Sequence, residues 1–117
     1  MSYSYSFTRT PSGRLLIKLP EEVALFSDFI ELIATEERAD EFISIVDQVM
    51  NGTHDEFEIL FNAPTVVIKP DVTSVSLADI LDNPPPEQYM ETEEFRKLIL
   101  VWKEKLPIRF INEDEEH

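Results

Sequence analysis

Several residue types that carry common chemistry are missing or scarce in this 117-residue sequence. The absence of cysteine excludes disulfides, thiolate nucleophiles and thiolate zinc sites. The two glycines, Gly13 and Gly52, are too few for a glycine-rich phosphate loop. Of the two histidines, His117 is the last residue, and His54 has no second group placed for proton transfer. We therefore interpret His54 as a solvated turn residue.

Catalytic and metal-binding motifs are missing as well. The sequence has neither a Gly-x-Ser-x-Gly nor a His-Glu-x-x-His run, and residues 51–56 offer oxygen ligands without the spacing of a calcium loop. Carboxylate pairs are plentiful, so a carboxylate-dependent hydrolase is one alternative. An active carboxylate needs surroundings that shift its pKa, whereas these are predicted on solvated faces. The sequence therefore predicts no enzyme, and no catalytic, cofactor-binding or metal site.

Long apolar runs and basic residues are also scarce. No run approaches the roughly 20 residues needed to span a bilayer. The first residues lack the basic and apolar regions of a signal peptide, so we expect a cytoplasmic protein. Ten Lys and Arg stand against 24 Asp and Glu, for a net charge of −14. This charge argues against nucleic acid and membrane surfaces, both polyanionic, and favours a cationic partner, a metal ion or no partner at all.

Apolar residues, in contrast, are abundant enough for one hydrophobic core. Hydrophobic residues make up 43% of the sequence and include eight Phe. Alternation predicts strands at residues 3–7, 14–19, 57–61, 65–68 and 72–77. A turn over residues 10–13, with Gly13 available for a positive φ, joins the first two strands into a predicted antiparallel hairpin. Helical spacing follows residues 21–33, 35–51 and 92–106. This pattern predicts an α+β fold in a single domain of residues 1–111, with an antiparallel sheet of four to five strands and about three helices packed on it. Residues 112–117 are expected to form a frayed acidic tail.

Some local predictions carry alternatives. Residues 76–81 fit either the end of a strand or a helical turn. The proline run in residues 83–87 predicts an extended connector. Thr92 is predicted to cap the third helix, and residues 108–111 to add an edge strand.

The acidic residues concentrate in one stretch. Residues 21–58 hold twelve of the 24 carboxylates and one basic residue, Arg38. Within this stretch a helix is predicted between Thr35 as N-cap and Gly52 after its end. Its outer side carries acids with no basic residue on the same helix face to balance them. The candidate partner-binding residues are those of this face and of the following turn: Glu37, Asp40, Glu41, Asp47, Asp55 and Glu56.

A resemblance adds a class of protein to this hypothesis. Small, cysteine-free, acidic α+β chains with a Tyr-rich first hairpin (Tyr3, Tyr5) and a capped C-terminal helix around Trp102 look like bacterial immunity proteins. These neutralise toxins of contact-dependent growth inhibition and related polymorphic toxin systems. The resemblance implies a non-catalytic protein that binds one cognate toxin, often a nuclease, and blocks its active site. It carries over no individual binding residue.

The favoured hypothesis is thus an immunity protein that occludes a cationic toxin domain. Its alternative is a non-catalytic protein-interaction module or small assembly subunit, recognised through the sheet edge or the proline-rich connector. A charge run can also be plain solvated surface. Tight binding needs an aromatic or apolar anchor near the acids, for which Tyr89, Met90 and the hairpin tyrosines are candidates. The sequence indicates neither the partner nor the oligomeric state.

Overall fold

The computed structural model describes residues 3–60, 64–77 and 86–108. Three α-helices and six strands lie in these ranges, together with two 3₁₀ turns at Glu21–Val23 and Leu106–Ile108. The strands are β1 (Ser6–Arg9), β2 (Leu15–Lys18), β3 (Phe57–Leu60), β4 (Pro64–Ile68), β5 (Val72–Leu77) and β6 (Glu87–Glu91). The helices are α1 (Leu25–Ile30), α2 (Glu36–Met50) and α3 (Thr92–Lys105). The predicted tail at residues 112–117 lies outside the described ranges.

The first two strands form the predicted antiparallel hairpin. Gly13 adopts a φ of 91°, a conformation open to glycine, and its N–H donates to the Thr10 carbonyl at 2.9 Å. Strand β1 begins at Ser6, later than predicted, so Tyr3 and Tyr5 precede the paired residues.

Helix α2 forms between the predicted signals. The Thr35 hydroxyl oxygen accepts a hydrogen bond from the backbone N–H of Arg38 at 3.1 Å, and Gly52 follows the helix with a φ of 89°. The predicted helix from residue 21 is instead a 3₁₀ turn followed by the short α1. The start of α1 is capped from the sheet, because the side-chain oxygen of Gln88 accepts from the N–H of Leu25 at 2.7 Å.

Strands β3 to β6 pair in sequence order as an antiparallel sheet. The α+β prediction is therefore confirmed, although the strands form two sheets, of two and four strands, rather than one. Residues 76 and 77 belong to β5, which decides for a strand at this position. One side of the four-stranded sheet is buried, through Ile59, Val66, Ile68, Val75 and Met90.

The C-terminal third differs from the predictions at several positions. Glu87, the last residue of the predicted connector 83–87, is the first residue of β6, a strand that was not predicted. Thr92 is the first residue of α3 and does not cap it, because its hydroxyl turns inward to donate to the Lys69 carbonyl at 2.5 Å. Ile108 lies in a 3₁₀ turn and not in a strand. The remaining residues of the predicted helical turn, connector and edge strand, at 78–85 and 109–111, lie outside the described ranges.

The core lies between the buried side of the sheet and helices α1 and α3. Phe29 contacts both Phe42 of α2 and Phe95 of α3, with ring centroids 5.3 and 5.8 Å away. Trp102 is fully buried, donates its indole N–H to the Ile33 carbonyl at 2.9 Å, and stacks on Phe7 of the hairpin. One aromatic side chain of α3 thus fixes the hairpin and the end of the α1 segment to the rest of the molecule.

Candidate partner-binding surface

All six predicted partner-binding residues have exposed side chains. Glu37, Asp40, Glu41 and Asp47 lie on α2, and Asp55 and Glu56 lie in the connection from α2 to β3. Exposure is a requirement for binding and does not by itself identify the contact. The surroundings of each carboxylate decide how much free charge it displays.

Two of the α2 carboxylates are paired with α3. Lys103 Nζ lies 2.7 Å from Asp40 Oδ1, and Arg96 donates from Nε and Nη2 to the two carboxylate oxygens of Asp47, at 2.7 and 3.3 Å. These pairs lie two turns apart on both helices in reversed order, so α2 and α3 pack antiparallel. The hydrogen bonds to Asp47 and Asp40 raise the pKa of Arg96 and of Lys103, respectively.

The idea that no basic residue balances this helix face is therefore wrong. The balancing residues come from α3, which is distant in sequence and adjacent in space. Asp40 and Asp47 contribute to helix–helix attachment, and their negative charge is largely compensated. Their place in a partner interface stays a prediction.

Glu37 and Glu41 are less constrained. Neither residue is ion-paired with α3 in the described ranges, and Glu41 reaches Arg38 at 4.0 Å, the outer limit of an ion pair. The side chains of Arg38 and Glu41 are about half exposed, at 50% and 54%, so the pair is screened by water. The negative charges of Glu37 and Glu41 are thus largely uncompensated and are exposed to solvent.

The turn after α2 brings Asp55 and Glu56 to the start of β3. The side-chain oxygen of Asn51 accepts hydrogen bonds from the backbone N–H and the hydroxyl of Thr53, at 3.0 and 2.6 Å. His54 lies against Phe57, and its Nε2 lies 3.1 Å from the Gln48 side-chain oxygen. His54 lies exposed in the connection between α2 and β3, in agreement with its interpretation as a solvated turn residue. The turn places both acids beside the edge strand of the four-stranded sheet.

A second surface was not predicted from the sequence. We define the open sheet face as the side of β3–β6 opposite the core, formed by residues at alternating positions of the four strands. Its members are Glu58, Leu60, Thr65, Val67, Val72, Ser74, Ser76, Glu87, Tyr89 and Glu91. Leu60 is 75% exposed, Tyr89 55% and Val72 36%. These exposures show that the described helices lie on the other side of the sheet.

Two of the predicted apolar anchors, Tyr89 and Met90, lie on opposite sides of the sheet. Tyr89 lies on the open sheet face, and Met90, the next residue along β6, is buried in the core at 2% exposure. The Tyr89 hydroxyl donates to Glu87, and this hydrogen bond raises the pKa of Tyr89. Residues 87–91 show no alternation of polar and apolar residues, because Tyr89 and Met90 are adjacent and the inward position 88 is a glutamine, so β6 had no clear sequence signal.

Tyr3 connects the hairpin to the end of β6. Its hydroxyl donates to Glu91 Oε1 at 2.8 Å. Burial, together with this bond and nearby carboxylates, raises the pKa of Tyr3 to about 12. The pKa of Glu91 is lowered by its own backbone N–H and by Tyr3. Tyr3 thereby serves an intramolecular contact, whereas Tyr5 and Tyr89 are exposed at 46% and 55%, and of these two Tyr89 lies on the open sheet face.

Buried titratable chemistry is sparse in the described part of the chain. Glu94 is the one buried carboxylate there, at 8% exposure, and Lys97 neutralises it at 3.2 Å. No group of three or more His, Asp or Glu among the described residues is arranged to hold a metal ion. None of the helices in these ranges combines the length and apolar content needed to cross a membrane.

Comparison with known proteins gives one informative similarity. The chain is 29% identical over 107 residues to a Bacillus cereus protein named "Immunity protein". The match covers 90% of this chain and 89% of that protein, so it spans nearly the whole of both. No family model matches the chain, and no solved structure matches it. The similarity supports the prediction of a bacterial immunity protein without indicating a particular toxin system.

Proposed function

We propose that the protein is an immunity protein that binds a cognate cationic toxin domain, a nuclease, and occludes its active site. The single observation that carries this proposal is the similarity to the Bacillus cereus immunity protein along nearly the full length of both chains. The charge of −14 and the exposed carboxylates of α2 and the α2–β3 turn support it independently.

The proposed mechanism is inhibition by occupation of a basic cleft. A nuclease cleft carries Lys and Arg to hold phosphates, and a folded array of carboxylates competes for the same side chains. Long-range attraction increases the association rate, and short-range packing then determines the lifetime of the complex. Inhibition of this kind needs no catalytic group in the immunity protein. It takes place where the toxin acts, which we propose is the cytoplasm.

The six predicted residues contribute unequally in this mechanism. Glu37, Glu41, Asp55 and Glu56 supply attraction, because in the described residues no ion pair shorter than 4.0 Å compensates them. Asp40 and Asp47 supply less, since Lys103 and Arg96 already bind them. We keep all six as proposed contacts with this ranking.

The test is co-purification with the C-terminal domain of the toxin encoded by the neighbouring gene. We expect a stoichiometric complex, loss of toxin activity in the complex, and a steep decrease in association rate as salt rises toward about 1 M. The double variant Glu37→Lys/Glu41→Lys should associate more slowly, with an unchanged dissociation rate. Absence of a complex at low salt overturns the proposal. A complex with the toxin still active would favour an assembly subunit instead.

A further inference from the structure

We propose that the open sheet face is the surface that packs against the toxin, with Tyr89 and Leu60 as its anchors. This inference rests on the proposed function and adds the location of the contact. The occupant to which we commit is a Lys- and Arg-bearing surface of the toxin domain.

Side-chain size varies across the open sheet face. The central strands carry Thr65, Val67, Ser74 and Ser76, which are small or medium-sized and partly exposed, and Val72 at one end of β5. The edge strands carry the larger Leu60 and Tyr89. The small side chains in the middle of the face leave room for a protruding element of a partner.

The open sheet face exposes three large apolar residues, Leu60, Tyr89 and Val72. Tyr89 and Val72 are diagonal neighbours on β6 and β5, whereas Leu60 lies on the other edge strand, so a partner that contacts all three must span the sheet. Exposed apolar side chains that share a face with polar residues around them mark an interaction site better than single ones do. A protein interface derives most of its affinity from a few such anchors that lose all contact with water. Helix α2 offers a single comparable residue, Met50 at its C-terminal end, which is 41% exposed, because Ala39, Phe42, Val46 and Val49 are buried in the core.

The charge of the open sheet face indicates the kind of partner that it fits. Strands β3–β6 contain no lysine or arginine, and the open sheet face displays Glu58, Glu87 and Glu91. The nearest basic residue along these strands is Lys69, in the turn between β4 and β5. A second copy of this chain would place glutamates against glutamates. A cationic surface would instead pair with the rim and could place a guanidinium over the Tyr89 ring.

The turn after α2 connects the two acidic regions. Asp55 and Glu56 lie immediately before β3, and Glu58 is the first carboxylate of β3 on the open sheet face. Negative charge therefore continues from the end of α2 onto the edge of this face. We infer a division of roles in which α2 accelerates encounter and the open sheet face holds the bound toxin.

The experiment compares two charge-matched double variants by binding kinetics with the neighbouring toxin's C-terminal domain. Glu58→Lys/Glu87→Lys and Glu37→Lys/Glu41→Lys change the net charge equally. We expect the sheet variant to raise the dissociation rate at least about tenfold, and the α2 variant to change mainly the association rate. Tyr89→Ala should raise Kd at least about tenfold, whereas Tyr89→Phe, which keeps the ring, should stay within about threefold.

A readout on the unmodified protein keeps the test independent of variant folding. In the complex, NMR chemical shifts should change most for the Leu60 methyl groups and the Ser74 and Ser76 amides. Changes confined to α2 and the Asn51–Glu56 turn overturn the inference. So do sheet variants that fold normally and dissociate like the wild type. A dimer of the protein alone that Tyr89→Ala disrupts, seen by light scattering, also overturns it.

The two proposals fail in different ways. If the wild-type protein forms no complex with the toxin domain, the proposed function itself is wrong. If a complex forms and inhibits the toxin while the sheet variants are neutral, only the location of the contact is wrong.

Discussion

The acidic face of α2 and the open sheet face differ in what their carboxylates contact. On α2, Asp40 and Asp47 bind basic residues of α3 at 2.7 Å, so part of the charge serves to hold two helices together. On the sheet, Glu58 and Glu87 have no basic partner among the described residues. The number of acidic residues in a segment therefore does not measure the uncompensated negative charge that it presents to a partner.

The two regions also differ in their apolar content. Helix α2 turns most of its apolar side chains toward the core, and Met50, its last residue, is the large apolar residue that it exposes, at 41%. The sheet has apolar residues on both sides, with Met90 buried and Tyr89 exposed as neighbours in β6. Charge without an apolar anchor favours fast, short-lived encounters, whereas charge around an anchor can hold a partner. The following predictions test this difference.

The largest expected effect is a loss of stability on replacing Trp102, a buried aromatic residue of α3. Trp102→Ala should lower the free energy of unfolding by about 3–5 kcal/mol, because it opens a cavity and leaves the Ile33 carbonyl unsatisfied. Urea unfolding followed by circular dichroism measures the loss. Tyr89→Ala removes a large aromatic side chain from the open sheet face and should leave stability nearly unchanged. Equal losses from both variants would show that Tyr89 is a structural residue and not an available anchor.

The next largest loss of stability is expected on the buried side of the sheet, where Thr92 of α3 contacts Thr73 of β5. The Thr92 hydroxyl gives its proton to the Lys69 carbonyl, so Thr73, 2.8 Å away, must donate to Thr92. Thr92→Val breaks both bonds in a buried site and should lower the free energy of unfolding by about 1–3 kcal/mol. Thr65→Val makes the same change on the open sheet face and should stay within about 0.5 kcal/mol of the wild type. A loss at Thr65 as large as at Thr92 would mean that this face is packed against other parts of the chain.

The ion pairs between α2 and α3 give a smaller effect. Asp40→Lys/Asp47→Lys places like charges against Lys103 and Arg96, and should lower the thermal midpoint by about 2–4 °C. Glu37→Lys/Glu41→Lys changes the net charge equally without breaking these pairs, and should not lower the midpoint. The thermal midpoints of both double variants are measured at low salt and at about 1 M salt, where screening reduces the difference between the two midpoints. Identical midpoints at low salt would contradict the assignment of Asp40 and Asp47 to helix attachment.

Features that depend on single residues were predictable from the sequence, whereas features that depend on how distant elements pack were not. The ends of α2 were predicted from Thr35 and Gly52 because a cap and a positive φ are properties of single residues. The hairpin was predicted from Gly13 for the same reason. The ion pairs of Asp40 and Asp47 depend on how α2 lies against α3, which periodicity along one helix does not determine. Strand β6 was missed because only Met90 of its five residues is buried and its other inward residue, Gln88, caps α1. The open sheet face was missed with it, since a face exists only after strands are paired in register.

The smallest effect concerns Tyr3, whose bond to Glu91 stabilises one end of β6 and so the border of the open sheet face. Its pKa is raised from 10.0 to about 12, so the folded protein keeps a proton that the unfolded chain loses between these values. Stability from this group is therefore complete below pH 10 and declines as pH rises through about 12. Tyr3→Phe removes the hydroxyl, and the difference in stability between wild type and variant should shrink over this range. Thermal unfolding between pH 9 and 12 measures that difference, with Tyr5→Phe as a control at a hydroxyl without such a bond. A difference that is constant with pH would show that Tyr3 contributes through packing alone.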